Sequence, residues 1–158
     1  MALAFYRLAF LLRNMRIPII PYVINTLFVR ILFGCQIGLG AKLGRGVLLG
    51  CDGLGIVIHA RAVIGKNVVI GSGVVIGGTT KKYRVPVIGD NTWISVGAKV
   101  LGSVAVGRNV VIGANAVVLD NVPDNCMAAG VPAKVIKEGI DICNYRSFPF
   151  HRIVQATI

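Results

Sequence analysis

The two histidines of this chain, His59 and His151, are its best candidates for proton transfer. An imidazole titrates near neutral pH, so it can take a proton from a hydroxyl group under physiological conditions. Asp52 lies upstream of His59 and could orient the imidazole or bind an acceptor, but a solvated aspartate in a turn is the simpler interpretation. Cys51 could carry an acyl group, yet a buried cysteine usually packs as a small apolar residue. We therefore predict a general base at His59 assisted by Asp52, and no role for His151.

Metal and disulfide chemistry find no support in the sequence. No two histidine, cysteine or acidic residues share a ligand-like spacing, so we expect no metal site. The four cysteines form no CxxC pair, and no signal-peptide pattern follows Met1. We therefore expect reduced thiols and a cytoplasmic protein.

The charge distribution indicates anionic partners. The chain carries 17 basic and 6 acidic residues, a net charge of +11, and its first acidic residue is Asp52. Such an asymmetry suits an acidic membrane surface or a phosphorylated cofactor or substrate. Nucleic acid is not expected, because the chain lacks zinc-finger spacing and the aromatic signature of RNA-binding domains.

A six-residue period organises the sequence from Ile37 onward. Aliphatic residues recur at this spacing, and most of them are followed by glycine. The positions are Ile37, Leu43 and Leu49, then Ile58, Ile64, Ile70 and Ile76, then Ile88, Ile94, Val100, Val106, Ile112 and Val118. Neither the period of a helix nor that of a simple strand explains this spacing.

One short strand and one turn in each hexapeptide would explain the period. Three hexapeptides then close a triangular coil of about 18 residues, and stacked coils pair as parallel strands. The aliphatic residue points into the narrow interior, and the glycine relaxes the corner where the backbone turns tightly. The apolar fraction of 55% also indicates extensive burial, including surface between subunits. The sequence therefore predicts a mainly β protein, a parallel β-helix.

Two interruptions break the pattern. Residues 51–57 insert three extra positions between the first set of repeats and the second. Lys82 falls where an aliphatic residue is due, and a lysine cannot be buried unpaired in an apolar interior. We therefore predict an extruded loop at about residues 78–86, because loops on a rigid scaffold commonly carry function.

The residues before the repeats predict a short helical leader. An apolar face at helical spacing is formed by Phe5, Leu8, Leu12 and Met15. Pro18 and Pro21 end this helix, and residues 22–33 form a second apolar segment that is too short to span a bilayer. We favour a cap that packs on the repeats. The alternative is peripheral membrane association through residues 1–33, with arginines facing anionic lipid.

Several strings within residues 37–136 carry a family resemblance. They are GLGIVIHARAVIG, VVIGGT, PVIGDNTWISVGAKVLG, VAVGRNVVIGANAVVLDNVPDN and AAGVPAKVIK. This part of the chain resembles the hexapeptide-repeat acyltransferases, and among them the serine acetyltransferase-like branch. The leader YRLAFLLRNMRIPIIPYVINTLFVRILFGC is similar to that of the short capsule and exopolysaccharide O-acetyltransferases of this branch.

The resemblance implies a left-handed parallel β-helix that forms a homotrimer. It also implies that acetyl-CoA binds in the groove between neighbouring subunits and that a histidine acts as general base on an acceptor hydroxyl. Three positions depart from the pattern of the serine enzymes. Their catalytic histidine belongs in residues 50–54, which contain none here, their second histidine is replaced by Val85, and an upstream aspartate is replaced by Gln36.

With acetyl-CoA as co-substrate, several residues become candidates to bind it. The turn Gly77-Gly78-Thr79 offers backbone N–H groups, and Ala98 and Ala116 leave room beside the backbone. The basic candidates for the CoA phosphates are Lys99, Arg108, Lys134 and Lys137. Each lysine taken singly is better explained as a solvated surface charge.

We therefore expect three parts: a helical leader at residues 1–36, the left-handed β-helix at residues 37–136, and a tail at residues 137–158. The expected function is acetyl-CoA-dependent O-acetylation of a polysaccharide sugar or its precursor. One alternative is a serine O-acetyltransferase of cysteine biosynthesis. Another, of a different class, is an inactive β-helix that serves as a scaffold subunit. The expected location is the cytoplasm, at the inner face of the membrane if the leader binds lipid.

Overall fold

The computed structural model describes residues 1–80 and 83–145 of the chain. Within these residues, two α-helices and a π-helix precede a three-sided β-solenoid, and a short 3₁₀-helix follows it. The predicted fold class, a mainly β solenoid of hexapeptide coils behind a helical leader, is confirmed. The predictions for Lys82 and His151, and for the end of the tail, fall on residues outside the described part.

The strands are short because each hexapeptide uses most of its residues to turn a corner. The helices are α1 (Ala2–Asn14), α2 (Ile20–Ile24), the π-helix (Asn25–Leu32) and two 3₁₀-helices, Gly50–Gly53 and Ile142–Tyr145. The strands are β1 (Gln36–Ile37), β2 (Lys42–Leu43), β3 (Leu48–Leu49), β4 (Val57–Ile58), β5 (Val63–Ile64), β6 (Val69–Ile70), β7 (Val75–Gly77), β8 (Val87–Ile88), β9 (Trp93–Ile94), β10 (Lys99–Leu101), β11 (Ala105–Val106), β12 (Val111–Ile112), β13 (Val117–Val118), β14 (Met127–Gly130) and β15 (Ala133–Lys137).

Successive strands lie on three different faces, so every third strand pairs with its counterpart in the next coil. Sheet A has the order β1-β4-β7-β10-β13, and sheet B has the order β2-β5-β8-β11. Sheet C has the order β3-β6-β9-β12-β14-β15, in which only the last pair is antiparallel. Strands β1 to β12 make four coils, and β13, an isolated bridge at Val122 and β14 add a fifth.

The aliphatic residues of the six-residue period point into the solenoid and stack along its axis. The column of sheet A is Ile37, Ile58, Ile76, Val100 and Val118. The column of sheet B is Leu43, Ile64, Ile88 and Val106, and that of sheet C is Leu49, Ile70, Ile94, Ile112 and Ala128. Nearly all of these side chains are buried, which confirms the predicted register.

One corner of the solenoid is built from stacked asparagines. Asn67, Asn91, Asn109 and Asn125 all adopt positive φ angles between 54° and 56°, a conformation that asparagine tolerates better than most residues. Their side-chain amides form a continuous ladder, with N···O distances of 3.2, 3.3 and 2.9 Å between successive coils. The ladder therefore fixes the stacking of four coils at this corner.

Both interruptions of the period are accommodated outside the prism. The 3₁₀-helix Gly50–Gly53 takes up the three extra residues between β3 and β4, and the positive φ angles of Cys51 and Asp52 turn the chain there. The second insertion follows Gly77, the last residue of β7, and pairing with the neighbouring coil resumes at Pro86, whose carbonyl accepts from the N–H of Val63 at 3.4 Å. The core columns continue in register across both, as predicted.

The leader caps the first coil by donating hydrogen bonds to its carbonyl groups. Backbone hydrogen bonds join neighbouring coils in both directions, but those carbonyls of the first coil that face away from the second coil need donors from elsewhere. The donor–acceptor pairs are Tyr6 to Gly38 and Ala41, Arg7 to Gly44, Arg13 to Leu39, and Asn25 to Ile37. Burial raises the pKa of Tyr6 to about 12, so its hydroxyl keeps the proton that it donates. The leader is thus a packed cap.

The face that α1 buries differs from the predicted one. The structure buries Ala2, Tyr6 and Ala9 against the first coil, whereas Leu8 and Met15 of the predicted apolar face are exposed. The reason is Tyr6, whose hydroxyl must reach the carbonyls of the first coil and therefore turns its own side of the helix inward. Among the described residues, no helix is both long and apolar enough to cross a membrane.

The C-terminal end of the solenoid is closed by a hairpin that the hexapeptide pattern does not predict. Strand β15 reverses direction and pairs with β14, which leaves sheet C with an antiparallel edge. Beyond it, Ile140 and Ile142 are buried in a small cluster with Val111 and pack against Trp93 on the outside of sheet C. The first part of the predicted tail is therefore packed.

The register predicts losses of stability of very different size for two neighbouring substitutions in β5. Ile64→Asp places an unpaired carboxylate in the prism, and we expect it to lower the free energy of unfolding by about 4 kcal/mol or more. Val63→Asp changes the adjacent outward residue and should cost less than about 1 kcal/mol. Urea denaturation of both variants measures the difference, and equal losses would show the register to be wrong.

Candidate active site

Most of the predicted site residues lie at the two edges of sheet A. We call the edge where the chain passes from sheet A to sheet B the A/B corner, and the edge where it passes from sheet C to sheet A the C/A corner. His59 and the turn of residues 77–79 lie at the A/B corner. Asp52, Ala98 and Ala116 lie at or next to the C/A corner. Residues 55–59, which include β4, separate the two corners by roughly 13 Å at about 3.3 Å per residue.

His59 lies at the edge of sheet A, beside a glycine of the next coil. Its backbone N–H donates to the carbonyl of Ile76 at 2.8 Å, which continues the pairing of β4 with β7 and sets His59 beside Gly77. Gly77 has no side chain, and the next residue in the row is Leu101. The imidazole is half-buried, and the space over Gly77 is bounded by Leu101, since a Cβ at Gly77 would lie 3.6 Å from Leu101 Cδ2. The prediction that alternation turns His59 away from the core is consistent with this position.

The imidazole is held by a local hydrogen bond. The backbone N–H of Arg61 donates to Nδ1 of His59 at 3.1 Å. A neutral imidazole has one nitrogen that accepts and one that carries a proton, so Nε2 carries the proton in this arrangement. As the ring stands, Nε2 can donate a hydrogen bond but cannot take a proton. A general base at Nε2 requires the ring to release the N–H of Arg61 and to carry its proton on Nδ1 instead.

Asp52 does not contact His59 within one chain. Its Oδ1 accepts a hydrogen bond from the amino group of Met1 at 2.7 Å, at the C/A corner. The expectation that Asp52 orients the imidazole is therefore not met inside a single chain, because β4 lies between the two residues. Cys51 is exposed rather than buried, since the positive φ angle of the 3₁₀-helix turns it outward.

Two of the other thiols are unsuited to nucleophilic chemistry. Burial raises the pKa of Cys35 to about 11, and burial together with the carboxylates of Glu138 and Asp124 raises the pKa of Cys126. Both groups therefore stay protonated at neutral pH, and a protonated thiol is a poor nucleophile. All four cysteines are free.

The extruded loop forms one wall of a cleft at the A/B corner. The cleft has a volume of about 400 Å³ and is lined by Arg61, Tyr83, Arg84, Val85, Val87, Ser103, Val104, Ala105 and Asn121. The guanidinium of Arg61 lies over the ring of Tyr83, 4.0 Å from its centre. Two guanidinium groups and no carboxylate belong to the described lining, so the cleft favours an anion.

Sequence reasoning missed this cleft, although it predicted the loop. Arg61 follows His59 by two residues, and Tyr83 and Arg84 directly follow the lysines that mark the insertion. Arg61, Tyr83 and Arg84 line one cleft because of how the residues of the loop pack against the A/B corner. The six-residue period carries no information about this packing. A loop with three basic residues and an aromatic one was the available signal.

The candidate cofactor residues do not form one continuous surface in a single chain. At the A/B corner, the exposed Thr79 side chain lies against Gly102, and a Cβ at Gly102 would come within 3.3 Å of it. At the C/A corner, the side chains of Ala98 and Ala116 are fully buried in the prism, so only their backbones could meet a ligand. The room expected beside them is occupied by the core.

The basic candidates for the CoA phosphates are exposed, and most of them have a partner. Lys99 donates to the carbonyl of Gly97 at 3.0 Å. The remaining pairs are Lys134 with Asp120 at 3.7 Å and Arg108 with Asp124 at 3.4 Å. Exposed pairs of this kind are weak and can exchange partners for a phosphate. The predicted roles of these residues and of Lys137 stay predictions.

The departures from the family pattern have structural counterparts. Val85, where the resemblance implies a second histidine, is buried, with Gly78 beside it. Gln36, where it implies an aspartate, is exposed on the outside of sheet A and pairs with Val57. Within the described residues, no group of three or more histidine, cysteine or acidic side chains could hold a metal ion.

Comparison with protein families and curated proteins gives consistent matches. The profile of the bacterial transferase hexapeptide, with six repeats, matches residues 86–120. A serine acetyltransferase of Helicobacter pylori strain J99 is 43% identical over 137 residues, which cover 85% of this chain and 79% of that protein. A serine acetyltransferase of Synechococcus elongatus is 42% identical over 137 residues, which cover 85% of this chain and 55% of that protein.

Comparison with solved structures agrees with the sequence matches. A serine acetyltransferase of Brucella abortus, in complex with coenzyme A, superposes with a TM-score of 0.82 at 37% identity. The match covers 87% of this chain and 55% of that one. The chain therefore spans about half the length of several of the proteins that it matches.

The contact at His59 predicts different effects for two substitutions. His59→Ala removes the acceptor of the Arg61 N–H and should lower the free energy of unfolding by about 1 kcal/mol. His59→Asn supplies a carbonyl oxygen that can accept from the N–H two residues on, and should change it by less than about 0.5 kcal/mol. Urea denaturation measures both values. Equal destabilisation by the two variants would contradict the assigned hydrogen bond.

Proposed function

This chain belongs to the serine acetyltransferase family, and we propose that it transfers the acetyl group of acetyl-CoA to the hydroxyl of a small acceptor that carries a carboxylate, with serine as the first candidate. The observation that carries the proposal is the A/B corner. There a half-buried histidine accepts a hydrogen bond from the backbone of Arg61, and the Arg61 side chain lines a cleft together with a second guanidinium group, that of Arg84. The named relatives are serine acetyltransferases, which favours serine over the polysaccharide acceptor expected from the leader.

The proposed reaction needs only alignment and proton transfer. The acceptor carboxylate binds to Arg61 and Arg84, which leaves its hydroxyl directed towards the edge of sheet A. The hydroxyl oxygen attacks the thioester carbonyl, a C–O bond forms, the C–S bond breaks, and the departing thiolate takes a proton. Holding the two reactants together supplies much of the rate enhancement of such a reaction.

We assign both proton transfers to Nε2 of His59. Once the ring releases the Arg61 N–H and its own proton moves from Nε2 to Nδ1, the bare Nε2 takes the hydroxyl proton, and it later returns this proton to the thiolate of CoA. In the arrangement of the structure, Nε2–H can instead donate to the oxyanion of the tetrahedral intermediate. The same atom therefore serves both halves of the reaction.

A second copy of the chain is needed to combine the two corners. In a homotrimer with threefold symmetry, each contact joins two different patches, so the A/B corner of one protomer can face the C/A corner of the next. This contact would bring Asp52 and Lys99 close to a ligand at His59. It would also cover the outward valines of sheet A, Val57, Val75 and Val117, which are half-buried in the single chain. We therefore propose a homotrimer that binds acetyl-CoA between its subunits.

The remaining predictions are consistent with this proposal. The family relationship to a protein solved with coenzyme A supports acetyl-CoA as co-substrate. Gly77, Gly78 and Thr79 are proposed to bind it through backbone N–H groups at the A/B corner, and Lys134 to contact a phosphate. The four free thiols favour the reducing cytoplasm. We also propose the division into a leader, a solenoid and a tail, in which the leader caps the first coil and the solenoid carries the site.

A saccharide hydroxyl is the second candidate acceptor. The observation that favours it is the absence of both histidines that the family resemblance implies, at residues 50–54 and at Val85. A different set of groups around the acceptor indicates a different acceptor. An inactive scaffold is the third candidate, and His59 is the residue that would distinguish it from an enzyme.

The acceptor is tested by measuring CoA release with serine, neutral sugars and capsule oligosaccharides. We expect release with serine, and we expect Arg84→Gln to raise the KM for serine by about 10- to 100-fold, because it removes a charge-assisted hydrogen bond. Lys66→Gln, an exposed cation at another corner, is the matched control and should change little. Release with sugars alone would establish the second candidate, and no release with any acceptor would favour the scaffold.

The role of His59 is tested by comparing turnover with stability. His59→Asn should keep the fold but lower turnover by about 100- to 10,000-fold, the usual contribution of a positioned general base. The affinity for acetyl-CoA should change little, since His59 is assigned to the hydroxyl rather than to the nucleotide. Single-turnover kinetics and calorimetric titration measure the two quantities. Near-native turnover in His59→Asn would remove the imidazole from the mechanism.

A further inference from the structure

The first helix is apolar on two sides, and only one of them is covered. Ala2, Tyr6 and Ala9 pack on the first coil. On the other side of α1, Leu8, Leu11 and Met15 follow one another at helical spacing, with 47%, 59% and 71% of their surfaces exposed. A helix with apolar residues on both sides is normally buried on both.

The π-helix and the segment before it repeat this arrangement. Val29 is buried, while Leu27, Ile31 and Leu32 are exposed, with Ile31 at 69%. Ile19, Ile20, Tyr22 and Val23, between the two helices, are exposed as well. Stacking of Phe5 on Phe28 at 4.7 Å holds α1 and the π-helix together. We refer to the exposed apolar residues between Leu8 and Leu32 as the leader face.

The leader face carries positive charge without any negative charge. Arg16 and Arg30 are exposed within it, and no acidic residue occurs before Asp52. Asp52 itself already pairs with the amino group of Met1. The free cations are therefore not neutralised by neighbouring carboxylates of the leader.

We propose that the leader face lies on an anionic membrane surface, with its aliphatic side chains in the headgroup region and Arg16 and Arg30 at the lipid phosphates. Apolar residues combined with cations on one surface are the composition of interfacial helices. A second copy of the leader is a poorer occupant, because it would bring four arginines together with no carboxylate between them. The two helices would lie in the plane of the interface rather than cross it, in keeping with their length. This proposal does not depend on the identity of the acceptor.

The proposal is tested with the 158-residue chain by co-sedimentation with two kinds of vesicle. We expect partitioning onto vesicles of phosphatidylglycerol and phosphatidylcholine, weaker partitioning onto phosphatidylcholine alone, and a decrease at high salt because screening weakens the phosphate contacts. Leu11→Gln with Ile31→Gln should lower the partition constant by about 10-fold or more for each side chain. Arg30→Gln should lower it by about fivefold.

Matched variants away from the leader serve as controls. Val96→Gln with Ile136→Gln changes two exposed apolar residues of the solenoid, and Lys66→Gln changes one exposed cation. These variants should partition as the unchanged chain does, and circular dichroism confirms that all variants are folded. Absence of binding to anionic vesicles, or equal losses in the leader and control variants, would overturn the proposal. So would a leader variant that reduces only the mass measured by light scattering, since the face would then join copies of the chain.

Discussion

The axial stacking of inward side chains, two from most hexapeptides, is the constraint on which the rest of this structure depends. The prism is so narrow that each coil contributes a single layer of such side chains, and every layer rests on the one below it. Close packing of this kind tolerates no change of register and no polar group without a partner, and the hydroxyl of the buried Thr92 donates to the carbonyl of Gly107 at 2.9 Å. Additional residues must therefore leave the prism, as the 3₁₀-helix Gly50–Gly53 and the loop after Gly77 do.

This constraint also decides where chemistry can take place. Because the interior is filled, functional groups are restricted to outward positions and to the corners between sheets. The corner that carries His59 also carries the loop with Tyr83 and Arg84, so a short turn and an insertion one coil away build one cleft. Asp52 belongs to the opposite edge of the same sheet. The narrowness of a single solenoid is thus the physical reason to look for a complete site between two chains.

The fold could be predicted from the sequence because its six-residue repeat is a local pattern that continues over a long stretch, from Ile37 to Val118. Thirteen positions from Ile37 to Val118 keep the six-residue spacing on either side of two insertions, and all thirteen face inward. The candidate site was harder to predict from the sequence. The alternation of side chains along a strand predicted that His59 faces outward. The hydrogen bond from the Arg61 N–H to Nδ1 of His59, and the distance between Asp52 and His59, depend instead on turn geometry. The buried face of α1 was predicted wrongly, because hydrophobicity alone cannot tell which of two apolar sides the hydroxyl of Tyr6 will turn inward.

The capping of both ends has a consequence for the behaviour of the protein in concentrated solution. The strands at each end of a parallel solenoid carry N–H and carbonyl groups that face away from the neighbouring coil, so the end of one molecule could continue the sheets of another into an open-ended fibre. At the first coil, Tyr6, Arg13 and Asn25 occupy these acceptors. At the last coil, β15 runs against β14 and ends the parallel ladder of sheet C. The leader and the hairpin therefore act as terminators that keep a repetitive, self-complementary backbone from polymerising.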